Sequence, residues 1–159
     1  MAEDPKPQWS IRSNLISVSD LDRSVVFYLE IGPFETIARN DDIAVVGDLT
    51  PPPTVLILRE SPKRHSVRHG QQSLGLRSIT FNVGSRAEMD RVERVLQERM
   101  LPASRYDFAG RDLEVLRGRD PDNLPLIFVY PGAEARTNSA FKDPDYYLAI
   151  VHLAYSLDV

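Results

Sequence analysis

The sequence of 159 residues contains no cysteine. Disulfide bonds, thiolate nucleophiles and sulfur-ligated metal sites are therefore excluded together, and a cytoplasmic location is favoured. The sequence also has no glycine-rich phosphate loop and no nucleophile elbow. Phosphotransferases and serine hydrolases are therefore poor interpretations of this chain.

Long apolar runs and a strong net charge are missing as well. The longest apolar run covers residues 146–157, is interrupted by His152, and is shorter than the roughly 20 residues that span a bilayer. Residues 1–9 are polar and lack the apolar core of a signal peptide. The formal charge is −4 with both signs interspersed, so no field attracts phosphates. We expect neither a membrane nor a nucleic-acid partner.

The sequence does contain an internal repeat. Residues 13–18, SNLISV, lead directly into residues 20–28, and 65 residues further on SITFNV, residues 78–83, leads into residues 85–92. Each copy alternates like a strand and continues as a capped helix. Self-similarity at this spacing predicts two supersecondary units, and the length suits one compact domain with a shared core.

Each unit is predicted to run strand, helix, strand, strand, strand, which makes the fold class α+β. The elements of the first unit are predicted at residues 11–18, 20–31, 34–39, 43–46 and 54–59, and those of the second at 76–83, 85–99, 104–108, 112–116 and 126–130. Residues 146–157, capped by Asp143 or Asp145, predict a C-terminal helix that is apolar nearly all round. Such a helix must be covered by its own domain or by another subunit.

Two segments resemble the vicinal oxygen chelate superfamily, which includes glyoxalase I, bleomycin resistance proteins and extradiol dioxygenases. Residues 18–28, followed by residues 31–34 (IGPF), resemble the opening of that superfamily's first module. Residues 120–126 (DPDNLPL) resemble the turn before its last strand, with Asn123 at a position that usually holds glycine. Asparagine tolerates a positive φ angle better than most residues, so this substitution is mild.

The resemblance implies a single domain over residues 1–131 and a C-terminal extension over residues 132–159. The domain would consist of two βαβββ modules, at about 11–60 and 76–131, whose strands form a cupped mixed sheet with the helices outside. A ligand would bind in the cup, and we expect a homodimer.

Enzymes of this superfamily usually bind a divalent metal in the cup. The resemblance assigns the four ligand positions to Ser13, Ile57, Ser78 and Ile127. Zinc requires imidazole, thiolate or carboxylate, and harder cations require several carboxylate or carbonyl oxygens. We therefore expect no metal and no cofactor.

Side chains alternate between the two faces of a strand, and this predicts which residues line the cup in place of the metal ligands. The predicted ligand-binding residues are Ser13, Leu15, Ser17, Ile57, Arg59, Ser78, Thr80, Asn82, Ile127 and Val129. This mixture suits a partly apolar small molecule with a few fixed hydrogen bonds. Arg59 or Asn82 would hold a carboxylate or carbonyl. Serines in strands are as often simply solvated, and an arginine at a strand end is more often a surface residue than an anion-binding one.

Two functional classes remain. The first is a metal-free protein that binds a small organic molecule, as the bleomycin resistance proteins do. The second is a metal-independent isomerase, cyclase or lyase acting on a small organic substrate, with Tyr106 or His152 as its catalytic residue. Binding is favoured because no acid and base pair is visible in the cup.

Overall fold

The computed structural model describes residues 11–51, 53–61, 76, 78–108 and 113–131. The elements in chain order are β1 Ser13–Val18, α1 Leu21–Ile31, β2 Glu35–Arg39, β3 Ile43–Asp48, β4 Thr54–Glu60, β5 Ile79–Asn82, α2 Arg86–Glu98, β6 Ala103–Phe108, β7 Leu113–Arg119 and β8 Pro125–Pro131. The order βαβββ occurs twice, which confirms the predicted α+β fold. The predicted C-terminal helix, with His152, lies outside the described residues.

Each module forms its own four-stranded mixed sheet. The strand orders are β1-β4-β3-β2 and β5-β8-β7-β6, so the two modules share one topology. The first strand of each module pairs in parallel with its fourth, and the other pairs are antiparallel. A parallel pair needs a crossover connection, and the crossover carries the helix onto one face of each sheet.

Side-chain caps set the start of both helices. The Asp20 carboxylate accepts the backbone N–H of Arg23 at 2.9 Å, and the Ser85 hydroxyl accepts that of Glu88 at 3.2 Å. These bonds satisfy amide groups that have no partner within the helix. Within the described residues, no helix is long and apolar enough to cross a membrane.

β5 and β7 differ most from their predicted bounds. β5 has four residues, because the residue that would lie opposite Ser78 is Pro125, which has no N–H for a ladder bond. β7 continues to Arg119, three residues beyond its prediction. It is a central strand that pairs with both β6 and β8, and this pairing outweighs the charges of Arg117 and Arg119.

The core lies between the helices and the sheets and is continuous across both modules. Alternation puts Ile16 and Val18 of β1 on the face that packs against α1, as predicted. The second sheet packs against α2 through Met89, Val92 and Leu96. All of these side chains are buried, so apolar burial stabilises both helix-to-sheet layers.

Polar contacts hold the turn before β8 against the start of α1. The Asp122 carboxylate accepts the backbone N–H of Ser19 at 2.9 Å, the Ser19 hydroxyl, and a guanidinium N–H of Arg23 at 2.9 Å. Nearby, the Tyr28 hydroxyl donates to Asp120 at 3.0 Å. These partners are 92 to 103 residues apart in the chain, so the contacts join the two modules.

The turn itself has the backbone geometry that its sequence predicted. Asn123 has a φ of 72°, in the left-handed region that asparagine tolerates. Its N–H donates to the Asp120 carbonyl at 3.0 Å, and one Asp120 carboxylate oxygen accepts the N–H groups of Asp122 and Leu124. Burial raises the pKa of Asp120, and burial followed by the Asp120 charge raises the pKa of Tyr28 well above its usual value.

Candidate functional site

A cavity of about 420 Å³ lies between the two modules. The first module contributes Asn14 of β1, the corner between β3 and β4, and the segment after α1, whereas the second contributes β5 and the first turns of α2. Its lining residues are Asn14, Ile31, Gly32, Pro33, Phe34, Asp48, Thr54, Leu56, Ile79, Thr80, Phe81, Asn82, Val83, Gly84, Glu88, Arg91 and Phe128.

Three phenylalanine rings form an apolar surface within this cavity. Phe81 and Phe128 are paired across β5 and β8, and their rings stack with centroids 5.4 Å apart. Phe34 lies against Phe81 at 6.0 Å. A Cβ at Gly32 would come within 2.5 Å of the Phe34 ring, so the glycine permits this ring position. Stacked and tilted ring pairs of this kind add to the stability of apolar burial.

Charged groups at the cavity are held by neighbouring backbone. Glu88, in the first turn of α2, accepts the N–H of Gly84 at 2.8 Å. Arg91 donates to the carbonyl oxygen of Ile31 at 3.1 Å and to that of Glu30. Asp48 accepts the N–H of Thr50 at 2.8 Å, and hydrogen bonds from Thr50 lower the pKa of the Asp48 carboxyl.

Two of the ten predicted ligand-binding residues, Thr80 and Asn82, line the cavity. Both side chains are exposed, while the β5 backbone is held by pairing with β8. Asn82 therefore has an exposed amide that can donate and accept hydrogen bonds on a fixed strand.

Five other predicted residues share the face of the first sheet that points away from α1. Leu15 lies opposite Ile57, and Ser17 lies opposite Arg59, in the β1 to β4 register. Ser13, Leu15, Ser17 and Arg59 are exposed and Ile57 is half-buried. None of the five lines the described cavity. These residues form a separate surface, and their role in ligand binding stays a prediction.

The last three predicted residues lie on or beside the second sheet. Ile127 and Val129 are buried, together with Leu113 and Val115, on the face away from α2. These four lie outside the main core cluster. Ser78 is half-buried and directly precedes β5.

The predicted catalytic residues are not brought into the cavity within the described residues. Tyr106 of β6 lies opposite Val115, is half-buried, and is not among the lining residues. His152 falls outside the described residues. Within the described residues, the arrangement therefore brings binding groups together without Tyr106.

Sequence reasoning missed the aromatic part of the site and one buried cation. Phe81 and Phe128 alternate with the predicted cup-facing residues of their strands, so the alternation predicts that they face the helix and does not mark them as part of a site. Phe34 was part of the quoted motif without a role. Arg117 is 1% exposed and lies opposite Ile127 in the β7 to β8 register. Extending the alternation of β7 beyond residue 116 would have found Arg117.

The four positions that the resemblance assigns to metal ligands do not fit a divalent cation. Ser13 and Ser78 carry neutral hydroxyls, and Ile57 and Ile127 carry no donor atom. Across the described part of the chain, no group of three or more His, Asp or Glu side chains could hold a metal ion.

Solved structures with the same fold are numerous, although no family model and no curated protein matches the sequence. A glyoxylase/bleomycin resistance protein/dioxygenase domain from Frankia sp. EAN1pec has a TM-score of 0.66 at 22% identity, covering 79% of this chain and 99% of that one. A lactoylglutathione lyase from Agrobacterium tumefaciens has a TM-score of 0.58 at 17% identity, covering 79% and 96%. A glyoxalase/bleomycin resistance protein/dioxygenase from Alicyclobacillus acidocaldarius has a TM-score of 0.57 at 18% identity, covering 86% and 100%. The chain therefore has the paired βαβββ fold of the vicinal oxygen chelate superfamily.

Proposed function

We propose that this protein binds a small, partly apolar organic molecule without the help of a metal ion. The observation that carries the proposal is the cavity of about 420 Å³ between the modules, with its three phenylalanine rings. Cavities that bind small organic molecules typically measure about 300 to 1,000 Å³ and combine apolar walls with a few polar groups. The cavity has both properties.

The polar groups come from a rigid strand. Thr80 and Asn82 are held by the pairing of β5 with β8, while Phe81 between them packs against Phe128. Side chains alternate along β5, so the hydroxyl and the amide project from the other face of the strand than the Phe81 ring, in positions that the strand pairing fixes. Preorganised groups lose little entropy on binding, so such a site favours affinity.

Metal independence is supported by the residues at the superfamily's ligand positions. A chain with serine and isoleucine there has no donor set for a divalent cation, and the proposed ligand contacts do not use those positions. The Alicyclobacillus acidocaldarius structure is named in part as a bleomycin resistance protein, which supports capture of an organic molecule. Binding is proposed over catalysis because Tyr106 is not among the residues that line the cavity.

The test is a thermal-shift screen of small aromatic compounds, run with and without a chelator. A compound that binds the folded state and not the unfolded state raises the melting temperature, by an amount that grows with the logarithm of its concentration divided by its Kd. Compounds that bind should then bind Asn82→Ala about three- to tenfold more weakly, the loss expected for one hydrogen bond. Thr36→Ala is the matched control, because Thr36 is an exposed polar residue on β2 outside the cavity and outside the predicted ligand-binding set.

Two outcomes would contradict the proposal. A ligand whose affinity is unchanged by Asn82→Ala and by Phe81→Leu does not bind in this cavity. Elemental analysis that finds about one divalent metal ion per purified chain would refute metal independence.

We also propose a cytoplasmic homodimer. The lack of cysteine supports the location. Leu15 is 60% exposed beside half-buried Ile57 on the open face of the first sheet, and a second copy could cover this apolar surface. Light scattering should find twice the chain mass, and Leu15→Lys should shift it to the monomer.

A further inference from the structure

We infer that the molecule bound in the cavity between the modules is an organic cation, an amine carried on an apolar ring. The inference rests on the proposed function, because it names the chemical class of the ligand for that same cavity. It is carried by the charges and the rings that line the cavity.

The lining residues carry more negative than positive charge. Two carboxylates, Asp48 and Glu88, and one guanidinium, Arg91, leave a formal charge of −1. Arg91 is committed to the end of α1, where it donates to the carbonyl oxygens of Glu30 and Ile31. The helix C-terminus carries a partial negative charge of about half an elementary charge, which offsets part of the Arg91 charge at the cavity.

The negative charge of Glu88 is also offset in part by a helix end. Glu88 lies in the first turn of α2, where the helix N-terminus carries a partial positive charge, and it accepts the N–H of Gly84. The partial charges of the two helix ends have opposite signs and offset each other. The charge that remains is that of Asp48, whose pKa is lowered by its hydrogen bonds from Thr50. Asp48 is therefore ionised at neutral pH.

The rings favour the same sign of ligand charge. The face of an aromatic ring is the negative side of its quadrupole, so ammonium groups are attracted to it and carboxylates are not. Phe34 and Phe81 are half-buried at the cavity with their rings 6.0 Å apart, whereas Phe128 is 2% exposed and stacks on Phe81 from below. Thr80 and Asn82, on the other face of β5 from Phe81, also line the cavity and carry oxygen atoms that can accept hydrogen bonds from the N–H groups of an amine. Arg59, the predicted partner of an anion, does not line this cavity.

The experiment compares three probes with one ring system: 1-naphthylmethylamine, 1-naphthalenemethanol and 1-naphthoate. Binding to the full chain is measured by calorimetry at low and moderate salt. The amine should bind most tightly and the carboxylate most weakly. The affinity of the amine should fall as salt is raised, because salt screens the attraction between exposed charges.

Variants remove the charge and keep the hydrogen bonds. Asp48→Asn retains an oxygen for the Thr50 N–H, and Glu88→Gln retains one for Gly84, so neither change disturbs the local fold. Asp48→Asn should weaken binding of the amine about two- to fivefold and remove most of the salt dependence of that binding. The affinity for the alcohol should stay unchanged. The exposed Glu98 lies outside the cavity, so Glu98→Gln is the matched control.

The outcomes separate this inference from the function on which it rests. If the alcohol or the carboxylate binds as tightly as the amine, the inference is overturned while ligand binding stands. If the amine keeps its affinity in both Asp48→Asn and Glu88→Gln, the charge preference has another source and the inference is again overturned. If none of the three probes binds at millimolar concentration, both the inference and the proposed function are overturned.

Discussion

Replacing Tyr28 with phenylalanine tests the contact that joins the modules. The Tyr28 side chain is fully buried and its hydroxyl donates to Asp120 at 3.0 Å, while Asp120 is itself 2% exposed. Tyr28→Phe keeps the ring, which makes an edge contact with Phe27, and removes only the donor. A hydrogen bond to a charged group contributes about 1.5 to 3 kcal/mol, so the free energy of unfolding should fall by that amount. The melting temperature should fall by about 4 to 10 °C.

The difference in stability between the wild type and Tyr28→Phe should depend on pH in a defined direction. Burial and the Asp120 charge raise the pKa of Tyr28, so the hydroxyl stays protonated in the folded state above pH 10, where an unfolded tyrosine ionises. The folded state then binds more protons than the unfolded state, and stability falls as pH rises through the unfolded pKa. Above the unfolded pKa, ionisation of this tyrosine lowers the free energy of unfolding of the wild type by about 1.4 kcal/mol per pH unit. Tyr28→Phe lacks this contribution. The stability difference should therefore shrink by about 1.4 kcal/mol between pH 9 and pH 11.

Urea denaturation followed by circular dichroism measures this difference at each pH for four proteins: wild type, Tyr28→Phe, Asp120→Asn and the double variant. The two single changes should sum to more than the double change, since they remove one shared interaction. A stability difference that is constant from pH 8 to pH 11 would refute the buried, protonated Tyr28. Additive single changes would show that the hydroxyl and the carboxylate are not coupled.

Three further predictions concern the metal, a close backbone approach and the turn before β8. The purified protein should contain no stoichiometric divalent metal and should melt at the same temperature with and without a chelator, and elemental analysis checks this. Gly47→Ala should lower stability by about 1 to 3 kcal/mol in urea denaturation, because its Cβ would lie 2.5 Å from the Thr54 carbonyl oxygen. Asn123→Gly should be tolerated whereas Asn123→Val should cost about 1 to 2 kcal/mol, because valine is strained at a φ of 72°; equal urea midpoints for both variants would contradict this.

The local structure follows from the sequence because its causes are local. The alternation of residues 13–18 predicted β1, and the apolar parity correctly assigned Ile16 and Val18 to the helix-facing side. Asp20 caps α1 by accepting the backbone N–H of Arg23, three residues later. Because the two groups are close in the chain, this cap can be predicted from the sequence. Asn123 was interpretable for the same reason, since a backbone angle belongs to one residue.

The site depended on how the two modules pack. Phe34 and Phe81 are 47 positions apart in the chain, and their contact arises only when β5 lies beside the end of α1. Apolar periodicity assigns such rings to the core and cannot show that a cavity opens beside them. Tyr28 meets Asp120 across 92 residues for the same reason. The sequence determined the two modules and their faces, whereas only tertiary packing, a sum of nonlocal contacts, decided where the modules leave room for a ligand.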